Sequence, residues 1–257
     1  MPNISNEKLF NYLIAEAGHL FSGWDFSYIT GTERMVEAPL SWSYTTKVIW
    51  AKYNIHSMLD MGTGGGERLA GLQPFPVQTW ATEGYSPNIS IAKQRLEPLG
   101  VKVVDISKDN QHLPFEDEQF DLIINRHEYY APHEVLRILK PGQQFITQQV
   151  GGENLVDLNI LFGIEKYPYH SWVLERAVKE LQEAGGHIVE QKEEHPITRF
   201  FDVGAIVYYL KAIPWQIPDF FIEKYFEKLI AIHNTIQEQG YIDVHNHRFF
   251  IVAQRQG

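Results

Sequence analysis

Not one cysteine occurs in the 257 residues. Disulfides, thiolate nucleophiles, iron–sulfur ligation and cysteine-based zinc sites are excluded together, and any chemistry must rest on oxygen and nitrogen side chains. Basic residues are also scarce: 22 Lys and Arg stand against 32 Asp and Glu, a formal net charge of -10. Such a field repels a phosphate backbone at long range, which makes nucleic acid an unlikely partner. Long apolar runs are missing as well. The most apolar stretch, residues 203–213, is short and carries Lys211, so no membrane span is expected. Met1-Pro2-Asn3 is not followed by a basic region and an apolar core, and a cytoplasmic location is the expectation.

What is present is an ordinary globular composition, 44% hydrophobic and 21% charged, in a chain long enough for one full α/β domain. Residues 55–150 alternate short apolar strands with amphipathic helices, the pattern of a parallel sheet covered on both faces. Strands are expected at 57–61, 77–82, 101–105, 120–125 and 145–150, and the last two at 187–195 and 241–255. Ile89, Ala92, Leu96 and Leu99 fall at helical spacing before Gly100, and Val173 to Ala184 do so before Gly185-Gly186. The expected organisation is a single domain: a cap over 1–54, a core over 55–150, and a C-terminal part over 151–257 with a helical insertion at about 200–240. Both flanks are rich in aromatic rings. Most should fill the core, and a few should face a small-molecule pocket.

Asp60-Met61-Gly62-Thr63-Gly64-Gly65-Gly66-Glu67 follows a strand and opens a helix. Glycine at every second position lets the main chain turn tightly and meet a ligand where a β-carbon would collide. The dinucleotide fingerprint would need glycine where Glu67 stands, and a phosphate loop would need Gly-Lys-Ser or Gly-Lys-Thr where the chain continues Glu67-Arg68-Leu69. NAD and ATP are both disfavoured. An acid at position 60 suits a ligand carrying an ammonium group instead.

Taken in order, the Asp60–Gly66 loop, Glu83, Leu113-Pro114-Phe115 and Leu139-Lys140-Pro141-Gly142 resemble the class I S-adenosylmethionine-dependent methyltransferases, particularly the type 11 small-molecule group. The resemblance implies an α/β, Rossmann-like fold: a seven-stranded, mostly parallel sheet with helices on both faces, an aromatic N-terminal cap and a helical insertion between the last two strands. It implies S-adenosyl-L-methionine as cofactor, S-adenosyl-L-homocysteine as product, and in-line methyl transfer to an oxygen or nitrogen of a small molecule. Asp60, Gly62, Thr63, Gly64 and Gly66 would carry the methionine part. Glu83 would bind the ribose hydroxyls, since a carboxylate accepts two hydrogen bonds at once. Gly84 stands where the family has its acid relative to Ser86-Pro87, and a one-residue shift of the loop restores Glu83. Asp109 and the main chain of Asn110 would meet adenine, with Asp105 a competing choice, and Gly84 and Asn125 complete the cofactor-binding candidates. Gln143 replaces the usual second glycine after Pro141-Gly142, which alters a turn only.

Asn125-Arg126-His127-Glu128 ends the fourth strand, at the edge where ligands sit in open α/β sheets. Arg126-His127 departs from the double-proline pattern of enzymes that methylate exocyclic amines of bases. His127 is the first candidate for a general base and Glu128 the second; alternatively both fix the loop. Trp24, Trp42, Tyr44, Tyr208 and Trp215 are the candidates for an aromatic acceptor wall, with the two flanks forming a roof. His245 and His247 would share one strand face, but without a third histidine or carboxylate nearby in sequence no metal is expected. The partner is expected to be a small-molecule acceptor, with no membrane, and the chain a monomer or homodimer. Competing readings are an rRNA guanine methyltransferase, an enzyme using a related sulfonium such as an aminopropyl transferase, and a catalytically silent cofactor-binding protein.

Overall fold

Ser57–Met61 is buried along its whole length, as a strand covered on both faces must be. In the computed structural model, which describes residues 5–21, 25–164 and 169–257, it lies inside a seven-stranded sheet. The elements in chain order are α1 (Asn6–Ala17), α2 (Ser27–Thr30), β1 (Met35–Glu37), α3 (Tyr44–Ala51), β2 (Ser57–Met61), α4 (Glu67–Ala70) and β3 (Gln78–Glu83). There follow α5 (Ser86–Leu96), β4 (Lys102–Asp105), β5 (Phe120–Arg126), α6 (Pro132–Ile138), β6 (Leu139–Val150), α7 (Val156–Phe162) and α8 (Leu174–Glu183). The chain ends with β7 (Gly186–Glu194), β8 (Ile197–Phe200), α9 (Val203–Ala212), α10 (Ile222–Gln239), β9 (Ile242–His245) and β10 (Arg248–Arg255).

Two compact units form, one from Ser41–Gly151, Ser171–Glu194 and Arg248–Gly257, the other from Met1–Leu40, Gly152–His170 and His195–His247. The first holds the large sheet, in the order β4-β3-β2-β5-β6-β10-β7. Neighbours from β4 to β6 run parallel, and β10 is antiparallel to both β6 and β7. This is the Rossmann-like arrangement that the sequence resemblance implies. Its core joins Leu59, Phe120, Ile123, Phe145, Ala177, Leu181 and Phe249.

The second unit has its own core, built by α1, α9 and α10 with Leu13, Ile206, Tyr208 and Leu229 among the buried side chains. A three-stranded antiparallel sheet, β1-β8-β9, accompanies it. Inside this unit Arg34 grips Asp202 with two hydrogen bonds, of 2.7 and 2.8 Å, and meets Glu16 at 3.1 Å. Among the described residues no helix is long and apolar enough to cross a membrane.

Two expectations need correction. The stretch 241–255 is not one strand: β9 pairs with β8 in the small sheet, and β10 pairs with β6 and β7 in the large one. Asn246-His247 breaks the pattern because Asn246 is spent on Pro196 O and Thr198 Oγ1. The fifth core strand also begins earlier than 145. Leu139 already pairs with Phe120, then the register jumps so that Leu122 faces Gln144, and Pro141-Gly142 bulges out between them. Proline has no N–H for a ladder, and Gly142 takes a φ of 74°.

Arg137 explains why Leu113-Pro114-Phe115 holds its place before β5. Its guanidinium donates to Leu113 O, Phe115 O, Asp117 and both oxygens of Glu134, while Glu134 accepts the Leu113 N–H at 2.7 Å. A planar fork is needed for so many fixed acceptors. Arg137→Lys keeps the charge but loses the fork, and is expected to destabilise the chain by about 1–2 kcal/mol in urea unfolding; equal midpoints for variant and parent would refute this role.

Candidate functional site

The loop after β2 adopts the conformation its glycines allow: φ is 68°, 64° and 80° at Gly62, Gly64 and Gly66. Side chains rarely tolerate that region. Space is restricted too, since a β-carbon at Gly62 would overlap the side chain of Glu128 and one at Gly66 would press on Leu96. The loop is tied across to β3 by Glu83, which is only 3% exposed. Its Oε2 accepts the Gly64 N–H at 2.6 Å and its Oε1 the Tyr85 N–H at 2.7 Å. Burial raises the Glu83 carboxyl above its usual range, opposed by the N–H groups of Tyr85, Gly64 and Gly84.

Asp60, at the end of β2, is buried beneath this loop and pushed up to about 7 by burial and further by the charge of Glu83, with the Thr63 hydroxyl and Arg68 opposing. Thr63 lies beside it, and its hydroxyl is buried without a hydrogen bond of good geometry. The Tyr44 hydroxyl is also buried without a hydrogen bond of good geometry, beside the Asn125 backbone and in the field of Asp60, Arg126 and Arg68, and burial chiefly raises it well above its usual range.

Beyond β3 and β4 opens a cavity of about 480 Å³ lined by Gly84, Tyr85, Ile106, Asp109, Asn110 and Glu128 among others. Four sequence candidates are thus brought together. Asp105 is not among the lining residues; its carboxylate accepts the Ser107 N–H at 2.8 Å. Asp109 is fixed by accepting from Gln111 N and His112 N at 2.8 and 3.1 Å, which lowers its carboxyl.

At the end of β5 the candidates take different parts. Asn125 is fully buried, and its amide is consumed inside the protein: Nδ2 donates to Met61 O at 3.4 Å, and Oδ1 accepts from Thr147 and Gln149. Its side chain supports the site from behind and does not line it. His127 has a left-handed backbone, φ 60°, and its Nε2 lies 3.1 Å from the Gln148 amide nitrogen. Although the ring reaches solvent, the protein packed around it, with Arg126, Arg248 and Arg68, holds it well below the usual histidine range. A nitrogen already engaged in that bond does not have the open geometry expected of a base. Glu128 lies across Gly62, its Oε1 accepting the Tyr129 N–H at 3.0 Å, and burial followed by the Glu83 charge raises its carboxyl.

Of the aromatic candidates, Trp42 and Tyr44 belong to the unit with the large sheet and are buried. Tyr208 is buried in the other unit against Tyr28 and Phe21, and Trp215 there is about half exposed. Trp24 lies outside the described residues. Sequence reasoning missed Thr147, Gln148 and Gln149, which buttress Asn125, His127 and Glu128. Three consecutive polar residues at the end of a buried strand were the available signal.

His245 and His247 do not share a strand face. His245 ends β9 and pairs with Asp157 at 3.0 Å, whereas His247 is buried and stacks on His195. The fold supplies what the local sequence lacked, for Glu153, His195 and His247 bring their ligand atoms within 4.8 Å of one another. However, His247 Nδ1 accepts the Glu153 N–H at 3.1 Å, so the lone pair there is engaged and the neutral ring carries its proton on Nε2.

Residues 59–147 match the family model described as a methyltransferase domain. No curated protein matches the chain. Among solved structures, a putative methyltransferase from Bacillus halodurans is 22% identical, with a TM-score of 0.58 over 83% of this chain and 97% of that one. The YcgJ protein from Bacillus subtilis is 15% identical, with a TM-score of 0.57 over 83% and 98%. The [4+2]-cyclase SpnF is 13% identical, with a TM-score of 0.54 over 100% and 98%. These similarities show the fold.

The carboxyl of Asp60 makes stability depend on pH. Between its unfolded value of 3.8 and its folded value of about 7, the folded chain keeps a proton that the unfolded chain has released. Stability therefore falls as pH rises through that window and levels off above it. Asp60→Asn, neutral throughout, is expected to exceed the parent by roughly 1–4 kcal/mol at about pH 8 and to match it at about pH 4. Thermal melts at both pH values check this, and a constant difference would refute it.

Proposed function

We propose, for a chain whose core makes it a member of the class I S-adenosylmethionine-dependent methyltransferases, that the ligand lies from the Asp60–Gly66 loop across Glu83 to the Asp109–Asn110 loop and that its methyl goes to an oxygen or nitrogen of a small molecule. The observation that carries this reading is the Glu83 carboxylate. Its two oxygens take the N–H groups of Gly64 and Tyr85, yet two ionised oxygens offer about four acceptor sites. The capacity left after these and the Gly84 N–H would serve the vicinal hydroxyls of a ribose, beside the 480 Å³ cavity lined by Gly84 and Asp109.

The other residues fit the same ligand. The Thr63 hydroxyl and the glycine main chain would face the amino-acid end, with Asp60 behind them. An ammonium group near Asp60 would favour its ionised form. When bound, the cofactor supplies an already activated methyl group on a sulfonium. The chain's part is alignment of an acceptor in line with it and removal of water. Glu128 covers Gly62. The acidic charge supports a small acceptor over a nucleic acid.

Calorimetry tests the reading. S-adenosylhomocysteine is expected to bind one per chain, with NAD and ATP giving no heat. Glu83→Ala should cost about 1.5–3 kcal/mol of that affinity, the scale of lost charge-assisted bonds. Unchanged affinity would move the ribose site elsewhere, and tight NAD binding in place of S-adenosylhomocysteine would overturn the proposal. Transfer of a labelled methyl group to a component of a metabolite extract identifies the acceptor.

A further inference from the structure

Trp42 Nε1 donates to Gln148 Oε1 at 2.9 Å. An indole N–H has no acceptor capacity, so the amide oxygen must face Trp42 and the NH₂ must face the other way. There it stands 3.1 Å from His127 Nε2. An amide NH₂ is in turn only a donor. His127 Nε2 must therefore hold the lone pair, and the proton of the neutral ring must sit on Nδ1. Trp42 and Gln148 are 7% and 4% exposed, too buried for water to take either place.

Gln148 also fixes the main chain of the same residue, because its carbonyl accepts the His127 N–H at 2.8 Å. That bond and the side-chain bond together hold His127 in its left-handed backbone, φ 60°, a conformation that persists only where neighbours over-determine it. Among the described residues Nδ1 has no hydrogen-bond partner.

We propose that His127 is held at the end of β5 as a fixed Nδ1–H donor, and that Trp42 and Gln148 are the positioning residues that set this tautomer.

The test is ¹⁵N NMR of histidine-labelled full-length protein, with His127 assigned through His127→Gln. The neutral Nδ1–H pattern is expected to persist from about pH 6 to about pH 8. An Nε2–H pattern of the neutral ring would overturn the assignment. Gln148→Glu turns the donor into an acceptor, and should move the proton to Nε2 and shift the ring's titration upward by about one pH unit or more. Should that variant fail to fold, Trp42→Phe frees the amide to turn, and the single-tautomer pattern should be lost; its persistence would overturn the relay.

Discussion

A buried carboxylate holding two main-chain N–H groups is the constraint on which the rest of the site depends. Without Glu83 the loops after β2 and β3 would carry unpaired donors at Gly64 and Tyr85, and each would have reason to move toward water. With it, three glycines with positive φ are pinned at the mouth of the sheet. The carboxyl is raised by its own burial, and it raises Asp60 and Glu128 in turn. One acid at a strand end thus sets both the shape and the charge balance of the loop beside it.

A second layer lies behind that mouth, on β6. Gln149 donates to Asn125 Oδ1 at 2.6 Å and to Glu128 O at 3.1 Å, and Thr147 donates to Asn125 Oδ1 at 2.9 Å. Gln148 reaches the opposite way, to Trp42 and His127. Alternation along a strand sends residues 147 and 149 to one face and 148 to the other. Three neighbours in sequence therefore brace two different parts of the site, and buried polar networks of this kind rigidify when every member is satisfied.

The fold alone does not name the chemistry. A cyclase shares it over nearly the whole length of both chains, as a scaffold that can carry unrelated sites should. What distinguishes this chain is local: buried acids beside the glycine loop, and a histidine whose Nε2 is held by a buried amide.

Sequence by itself determined the sheet elements and the shape of the glycine loop, because both follow from short-range pattern. The strand at 57–61 was legible to the residue, and glycine at 62, 64 and 66 anticipated three positive φ angles, since only that residue type makes such a turn without cost. Glu83 was readable from its place at a strand end. Only the tertiary structure decided the pairing of Trp42 with Gln148, 106 positions away, the division of residues 241–255 between two sheets, and the meeting of His195 and His247 with Glu153. It also turned His127 from an expected base into a ring whose Nε2 is held by an amide. Periodicity records which face of an element is buried; which donor meets which acceptor depends on register between strands distant in the chain, and no local window contains that register.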